Sequence, residues 1–594
     1  MKEINGKIVY SAFRSGAVAL IRQKDYLNAI NVFPVPDGDT GTNLASTVRS
    51  ILYSVEEEFR VDHMAAAIDE KAMSSARGNS GMILAQYFHG WAESLQGKEV
   101  VTPEEMIEGF KSAVPAAYSA VEKPQEGTIL TLMRVLAEEL EKYYHSGYRG
   151  ASLLEEVGNH MKQALDLTMM QLEPLRRNQV IDSGAAGFLA FVEGIAKYMT
   201  NPNHMDNDVG MEAIKPFQSE DMIQSHGESE YRYCTEGIIE KVPSVTDMHA
   251  SLSKMGDSLI VLDRGDKARF HLHTNDPEAV FAKIGGRVVM QKVEDMKLQS
   301  SVVNHPRTKI AVLTDSIADL DPEWVLSHQV HVIPVGIMED DQVFLDRISY
   351  SANRVIERVK AEKSLPTSAV PSPTEIKARL DFLQSHYDGI LALMVSKKMS
   401  GFYYQVKKLA AESFTDFPIE VIDSRQNSAA QGLLVREAVK EIEKGKSLAI
   451  VADWIRKKRS QSKIFVAIHD VKPMIQGGRL SVPVGRTFQT LGIKPIISIN
   501  EKGEGTAFGM HLKFDASLRH LERLIKREAK DQKIRVQVSY SDDLKKAEAF
   551  ARKLSQIPNV RCESVTQISS IVTVSAGSGV IAVAYMKEGQ TWRS

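Results

Sequence analysis

Seven consecutive residues, Asp37-Gly38-Asp39-Thr40-Gly41-Thr42-Asn43, bring together two carboxylates, an amide, two hydroxyls and two glycines. Two carboxylates one residue apart on a tight turn can hold a hard cation through oxygen ligands. The glycines let main-chain amides approach phosphate oxygens closely. Together that is the chemistry of a magnesium-nucleotide site; a plain acidic turn is the other reading, since Asp-Gly is a common turn dipeptide. A second set, Cys234, His271 and His273, offers a thiolate and two imidazoles. These suit zinc, one ligand short of a closed tetrahedron, although a core cysteine with two half-buried histidines fits the spacing as well. A third set, Thr367, Ser368, Ser400 and Arg479, supplies hydroxyl donors and one fixed cation, which can grip a carboxylate or a phosphate.

The elements that must position these groups differ along the chain. Up to about Met199 the pattern is helical. Within residues 128–144, Leu130, Met133, Leu136, Leu140 and Tyr144 fall at helical spacing, with Gly147 as a stop, and residues 153–172 repeat the pattern. Polar turns punctuate this region. Ala76-Arg77-Gly78-Asn79-Ser80-Gly81 precedes an apolar helix over 82–88, while Glu126-Gly127-Thr128 and Asp182-Ser183-Gly184 each open another. Helix N-termini collect anions, so several such turns could assemble a phosphate cradle. Each alone also reads as an ordinary capped start.

Residues 201–208 are polar and turn-rich and mark a boundary. Short strands follow at 259–262 and 268–273, where Phe270-His271-Leu272-His273 alternates and puts both imidazoles on one face. A second linker covers 302–307. Strands at 309–313, 390–395, 419–422 and 464–468 then alternate with helices, one of them over 322–327 behind Asp321. Ser372-Pro373-Thr374-Glu375 has the form of a capping box, and 568–586 reads as strand-turn-strand. The expectation is a multidomain protein: an all-α domain over 1–200, a small α/β middle domain over 201–300 and a larger α/β domain over 308–594.

Bulk properties narrow the function classes. The 594 residues are 43% hydrophobic and 25% charged, with a net charge of −3, which gives no electrostatic case for nucleic acid as the main ligand. Arg456-Lys457-Lys458-Arg459 is a dense basic run and reads as a solvated helix face. Two cysteines exclude a disulfide framework and point to a reducing compartment. Met1-Lys2-Glu3-Ile4-Asn5 lacks the apolar core of a signal peptide, and no uninterrupted apolar run approaches a membrane span. A cytoplasmic protein without membrane insertion is expected.

The segments 31–43, 76–81, 123–131 and 180–187, in that order, resemble the nucleotide-binding subunit of dihydroxyacetone kinases, the DhaL or Dak2 domain, in its fatty acid kinase branch. The resemblance implies an eight-helix barrel with ATP and Mg2+ at one end. Asp37 and Asp39 would hold the metal ions, with Thr42, Asn43, Ser80, Gly81, Gly127, Thr128 and Asp182 around the nucleotide. The dihydroxyacetone branch has a further aspartate where this chain has Val32, next to Asn31. Tyr233-Cys234-Thr235-Glu236 and residues 271–277 resemble the middle domain of the same kinase. That likeness implies a Zn2+ site at Cys234, His271 and His273, structural or at a dimer interface.

Residues 308–590 resemble the DegV family, fatty-acid-binding partners of that kinase, through 314–320, 366–373, Ser400-Gly401, Ile422-Asp423-Ser424 and Gly477-Gly478-Arg479-Leu480-Ser481. This implies two α/β lobes around an acyl chain, its carboxylate held by Thr367, Ser368 and Ser400 with Arg479 nearby. Val538-Ser539-Tyr540-Ser541 and Ser575-Ala576-Gly577-Ser578-Gly579 stand where family members carry histidines. The combined resemblance implies an acyl kinase turning fatty acid and ATP into acyl phosphate. Asp37, Asp39 and Arg479 would be its catalytic groups, with a homodimer and an acceptor enzyme for the product as partners. The alternatives are a fatty-acid-binding or sensing fusion with an idle kinase, and a dihydroxyacetone-type kinase of small molecules.

Overall fold

The structure, a computed structural model, describes residues 3–33, 38–202, 230–361 and 363–588. Asp37 and most of the 201–208 boundary lie outside the described residues. The chain divides into two compact units, Met1–Asn275 with Ala282–Ser300, and Asp276–Phe281 with Ser301–Ser594. No helix among the described residues is long and apolar enough to cross a membrane.

The first unit begins with helices α1 (Gly6–Arg22), α2 (Lys24–Ala29), α3 (Thr40–Ser54), α4 (Val61–Ser75), α5 (Gly78–Ser94), α6 (Pro103–Ser119), α7 (Ile129–His145), α8 (Gly150–Gln171), α9 (Glu173–Asn178) and α10 (Ser183–Thr200). Leaving aside the short α2 and α9, eight amphipathic helices pack side by side in the ring α3–α4–α5–α6–α7–α8–α10–α1 and back to α3. Their apolar stripes form one continuous core. They also surround a cavity of about 700 Å³ lined by Phe13, Phe88, Trp91, Phe110, Leu136 and Leu153. Thr128 and Asp182 cap α7 and α10, as side-chain oxygens accept first-turn amides that have no helical partner.

The middle region is an antiparallel sheet of β1 (Tyr233–Glu240), β2 (Asp257–Arg264), β3 (Lys267–Thr274) and β4 (Arg287–Asp295), ordered β2-β3-β1-β4. Ile260 and Leu262 of β2 join the core of the helices. Arg264 fastens the same edge, pairing with Asp69 at 3.0 Å and donating to Gln86 Oε1 at 2.7 Å.

The second unit has two lobes. One holds a parallel sheet of β5 (Ile310–Asp315), β6 (Val330–Ile333), β10 (Gly389–Met394) and β11 (Ile419–Asp423) in the order β11-β10-β5-β6. A small sheet, β8-β7-β9, accompanies it, made of β7 (Gly336–Glu339), β8 (Gln342–Leu345) and β9 (Thr367–Ala369). The other lobe is a six-stranded sheet of β12 (Ser462–Ala467), β13 (Lys494–Ile499), β14 (Gly505–His511), β15 (Ile534–Tyr540), β16 (Val560–Gln567) and β17 (Ile581–Lys587), ordered β14-β13-β12-β17-β15-β16. Helix Ser428–Glu443 shares one core with β10 and β17, so it lies between the two large sheets and is buried nearly all round.

Three local expectations are corrected. Residues 568–586 are not strand-turn-strand: Ser569 accepts the Val572 amide and starts helix Ser570–Ala576, and only β17 is extended. The turn at 76–81 does not lie wholly ahead of its helix: Ala76 and Arg77 precede α5, and Gly78-Asn79-Ser80-Gly81 form its first turn. The basic run is a solvated face only in part: Arg456 and Lys457 are exposed, whereas Lys458 is buried beside Trp454 and donates to Lys587 O at 3.1 Å.

Candidate functional site

One end of the helical ring gathers the amino termini of four helices. Asp39 is the residue ahead of α3 and is buried. Asn28, on α2, clamps the following turn: its Oδ1 accepts the Thr42 amide at 3.0 Å and its Nδ2 donates to Thr42 Oγ1 at 2.8 Å. Thr40 donates to Asn31 Oδ1 at 3.0 Å. The amino terminus of α5 meets this turn. Ser80 Oγ lies 3.5 Å from Thr40 Oγ1, and Gly78, at φ +52°, would drive a Cβ to 2.3 Å from Asn43 Nδ2. Only glycine fits there. The side-chain oxygen of Asn79 is buried without a partner among the described residues, as expected of a group aimed at a ligand.

The other two amino termini are tied to each other. Asp182 accepts from the amides of Ala185, at 2.7 Å, and of Gly184 and Ile129, so one carboxylate caps both α10 and α7. Burial pushes that carboxyl up to about 7 in spite of the three amides. Ser183 donates to Leu27 O at 2.7 Å and holds α10 against α2. Ahead of α7, Thr131 accepts the Gly127 amide at 2.8 Å and donates to Glu126 at 2.6 Å. Burial works to raise the Glu126 carboxyl, but Arg134, Thr131 and Tyr118 prevail and hold it at about 2. Asn28 and Thr131 escaped the sequence reading as site residues, since they touch the turns from a neighbouring element and from within the helix, and Glu126 was read only as part of the turn that opens α7.

Cys234, His271 and His273 come together as expected: one ligand atom from each lies within 4.8 Å of the others, and all three residues are buried. Register explains it. Cys234 stands opposite His273 and Glu236 opposite His271, so period two puts all four on one face of the sheet. The two Nε2 atoms are 3.2 Å apart, against about 3.3 Å for two nitrogens on one tetrahedral zinc. Each Nδ1 faces a carboxylate, Glu236 at 3.2 Å for His271 and Asp257 at 3.3 Å for His273. Carboxylates behind metal-binding imidazoles orient the rings, so the donor set fits zinc. Burial pushes the Cys234 thiol well up, with Glu236, Glu294 and Asp39 adding to it.

In the second unit, the order β11-β10-β5-β6 reverses between β5 and β10, the point in an open parallel sheet at whose carboxyl ends ligands bind. Asp315, ending β5, accepts the Val395 amide at 2.7 Å and so sets the course of the loop carrying Ser400. Burial pushes its carboxyl up to about 6. Ser400 accepts the Phe402 amide at 3.2 Å. Thr367 and Ser368 are exposed on β9, and Arg479 is exposed in the turn after helix Lys472–Gln476. Helix Ser570–Ala576 packs against both β9 and Lys472–Gln476, which links those two positions. At the positions lacking histidine, Asp542 accepts from Ser541 Oγ, Ser578 Oγ and the Gly579 amide, so a carboxylate clasps the two loops together.

With this geometry in place, three family matches divide the chain between them. Residues 34–197 match the DAK2 domain, residues 230–303 the FakA-like middle domain of fatty acid kinase, and residues 309–588 the DegV family. A DAK2-type domain, a FakA-like middle domain and a DegV-type domain thus follow one another in one chain, an order that matches a fatty acid kinase-like fusion. A protein of Staphylococcus epidermidis described as uncharacterized is 30% identical over 354 residues, 54% of this chain and 62% of its own length. One from Staphylococcus aureus is 30% identical over 318 residues, 50% of this chain and 57% of its own length. The chain thus spans less than two thirds of these relatives. Among solved structures, DegV of Bacillus subtilis, titled a fatty acid binding protein, is 23% identical over 47% of this chain and 100% of its own, with a TM-score of 0.43. A DegV family protein of Thermus thermophilus, titled for its fatty acid binding, is 22% identical over 47% of this chain and 100% of its own, with a TM-score of 0.44.

Proposed function

We propose that the DAK2-type unit is an ATP-dependent kinase whose acceptor is the carboxylate of a fatty acid. The observation that carries this reading is the meeting of α3 and α5 at the acidic turn, with buried Asp39 and a buried Asn79 side-chain oxygen that has no partner among the described residues at the same end of the ring. Asp37 and Asp39 would hold Mg2+, which neutralises charge on the phosphates. The first-turn amides around Thr42, Asn43, Ser80 and Gly81 would cradle phosphate oxygens, and Gly127 and Thr128 would border the nucleotide. A fatty acid carboxylate is ionised at neutral pH, with a pKa near ~4.3 like that of Glu. It needs no general base. A carboxylate oxygen attacks the γ-phosphorus, the bond to the β-phosphate oxygen breaks and ADP leaves with that electron pair. Catalysis is positioning and charge neutralisation. In the DegV-type unit, Thr367, Ser368, Ser400 and Arg479 would present the acyl group.

One observation favours a second reading of that unit. The Asp542 clasp sets a carboxylate between the two loops that lack the family's histidines, and a negative charge there would repel an acyl carboxylate brought to those loops. On that reading the acyl chain arrives on a separate DegV-type carrier. In the test, Asp37→Ala with Asp39→Ala is expected to abolish fatty-acid-dependent ATP consumption, assayed with free fatty acid and with an acyl-loaded DegV-type protein. Turnover that persists in the double variant refutes the nucleotide assignment. Wild-type turnover only with the carrier assigns the acyl site to the carrier.

A further inference from the structure

The turn that begins α5 is fastened from the sheet. Arg269, on β3, is buried; its Nη1 donates to Met73 O at 2.6 Å and its Nη2 donates to the Ala76 carbonyl. These carbonyls end α4, where unpaired acceptors and the negative end of the helix dipole favour a guanidinium. Ala76 leads straight into Arg77-Gly78-Asn79-Ser80-Gly81, and Gly78 lies against Asn43 of the acidic turn. On its other side, Arg269 Nη2 reaches Glu236 Oε2 at 3.0 Å, and Glu236 Oε1 lies 3.2 Å from His271 Nδ1. Arg269, His271 and His273 share one face of β3 by the period of two. A continuous polar route therefore runs from the Cys-His-His centre to the nucleotide turn.

We propose that Glu236 and Arg269 are positioning residues that make zinc at Cys234, His271 and His273 and magnesium-nucleotide at the acidic turn bind cooperatively. The proposal rests on the nucleotide reading above. The two states differ in how firmly the His271 ring is held. Zinc at Cys234, His271 and His273 would fix that ring, whose Nδ1 lies 3.2 Å from Glu236. Without the metal, the ring and the carboxylate beside it lose that anchor. A carboxylate fixed by His271 holds Arg269, and Arg269 holds the Ala76 carbonyl. Loosening the first link loosens the turn.

The test is calorimetry of Mg-ADP binding to the full chain, zinc-loaded and after chelator treatment with magnesium restored, the metal content being measured each time. Stripping is expected to weaken Mg-ADP binding about tenfold, and Mg-ADP to tighten zinc retention by the same factor, since linkage is reciprocal. In Arg269→Lys the ratio between loaded and stripped protein should fall below about twofold, whereas a purely structural strut would lower both affinities and keep the ratio. Glu236→Gln carries the same expectation should Arg269→Lys fail to fold. Equal Mg-ADP affinity in loaded and stripped wild type overturns the coupling alone, as does undiminished coupling in a folded variant or failure to take up zinc. Absence of any Mg-ADP binding overturns the nucleotide reading and this one with it.

Discussion

Gly41 has no room for a side chain: a Cβ there would sit 2.1 Å from Lys24 O, a backbone atom that cannot swing away. Gly41→Ala should therefore displace the acidic turn and destabilise the fold by about 1–3 kcal/mol, the usual cost of overpacking. Mg-ADP affinity and the melting temperature would both fall. Gly401, whose Cβ would meet nothing within 4 Å, serves as the control, and Gly401→Ala should leave both unchanged. Asp182 makes a different residue-scale prediction. Its folded carboxyl lies at about 7 against an ordinary 3.8, so the folded state keeps a proton that the unfolded chain gives up. The associated stability is fully present below about pH 4 and is lost as pH rises toward 7, by roughly 4 kcal/mol at most. Asp182→Asn retains an acceptor oxygen without the charge. Amide exchange at Ala185 and Ile129, corrected for intrinsic rates, should lose protection between pH 5 and 7.5 in wild type and stay level in the variant. A parallel decline in both would contradict the assignment.

The turns act as elements because later residues lock them. Thr131 lies within the first turn of α7, and its hydroxyl reaches back to accept the buried Gly127 amide and donate to Glu126. Thr131→Val keeps the shape and orphans that amide, at a cost of about 1–3 kcal/mol. Lower thermal stability and weaker Mg-ADP binding are expected; an unchanged melt would show that the turn holds without it. Element by element, the helical domain was legible from its 3.6-residue pattern, and the parallel strands from short apolar runs. The stretch after Ile568 misled because Val572, Thr573 and Val574 are β-branched, while the Ser569 cap and packing against β9 settle it as helix. The start of α5 was misplaced since Gly78 and Asn79 are poor helix formers that tertiary contacts hold in the first turn. Lys458 looked like surface charge, but its methylenes and ammonium lie against Trp454.

Across the whole molecule, the grouping of Cys234, His271 and His273 was legible only through the likeness to the kinase's middle domain, since the spacing alone fitted a core cysteine and two half-buried histidines as well, and the carboxylates beside it were not legible at all. Glu236 and Asp257 reach the imidazoles through cross-strand register, which a one-dimensional pattern does not display. Arg269 is hidden for the same reason, its partners lying 193 and 196 residues away. The four helix starts were each visible as capped turns, but only the closed ring brings them to one end. Product capture tests the central claim, acyl phosphate formation, most directly. The full chain would be incubated with Mg-ATP and a fatty acid, free or on a DegV-type carrier, with hydroxylamine present to trap activated carboxyl groups. The account predicts fatty acyl hydroxamate in equal amount to ADP, absent without magnesium and absent from Asp37→Ala with Asp39→Ala. ATP turnover without hydroxamate in either acyl form, from folded protein that binds Mg-ADP, would contradict it.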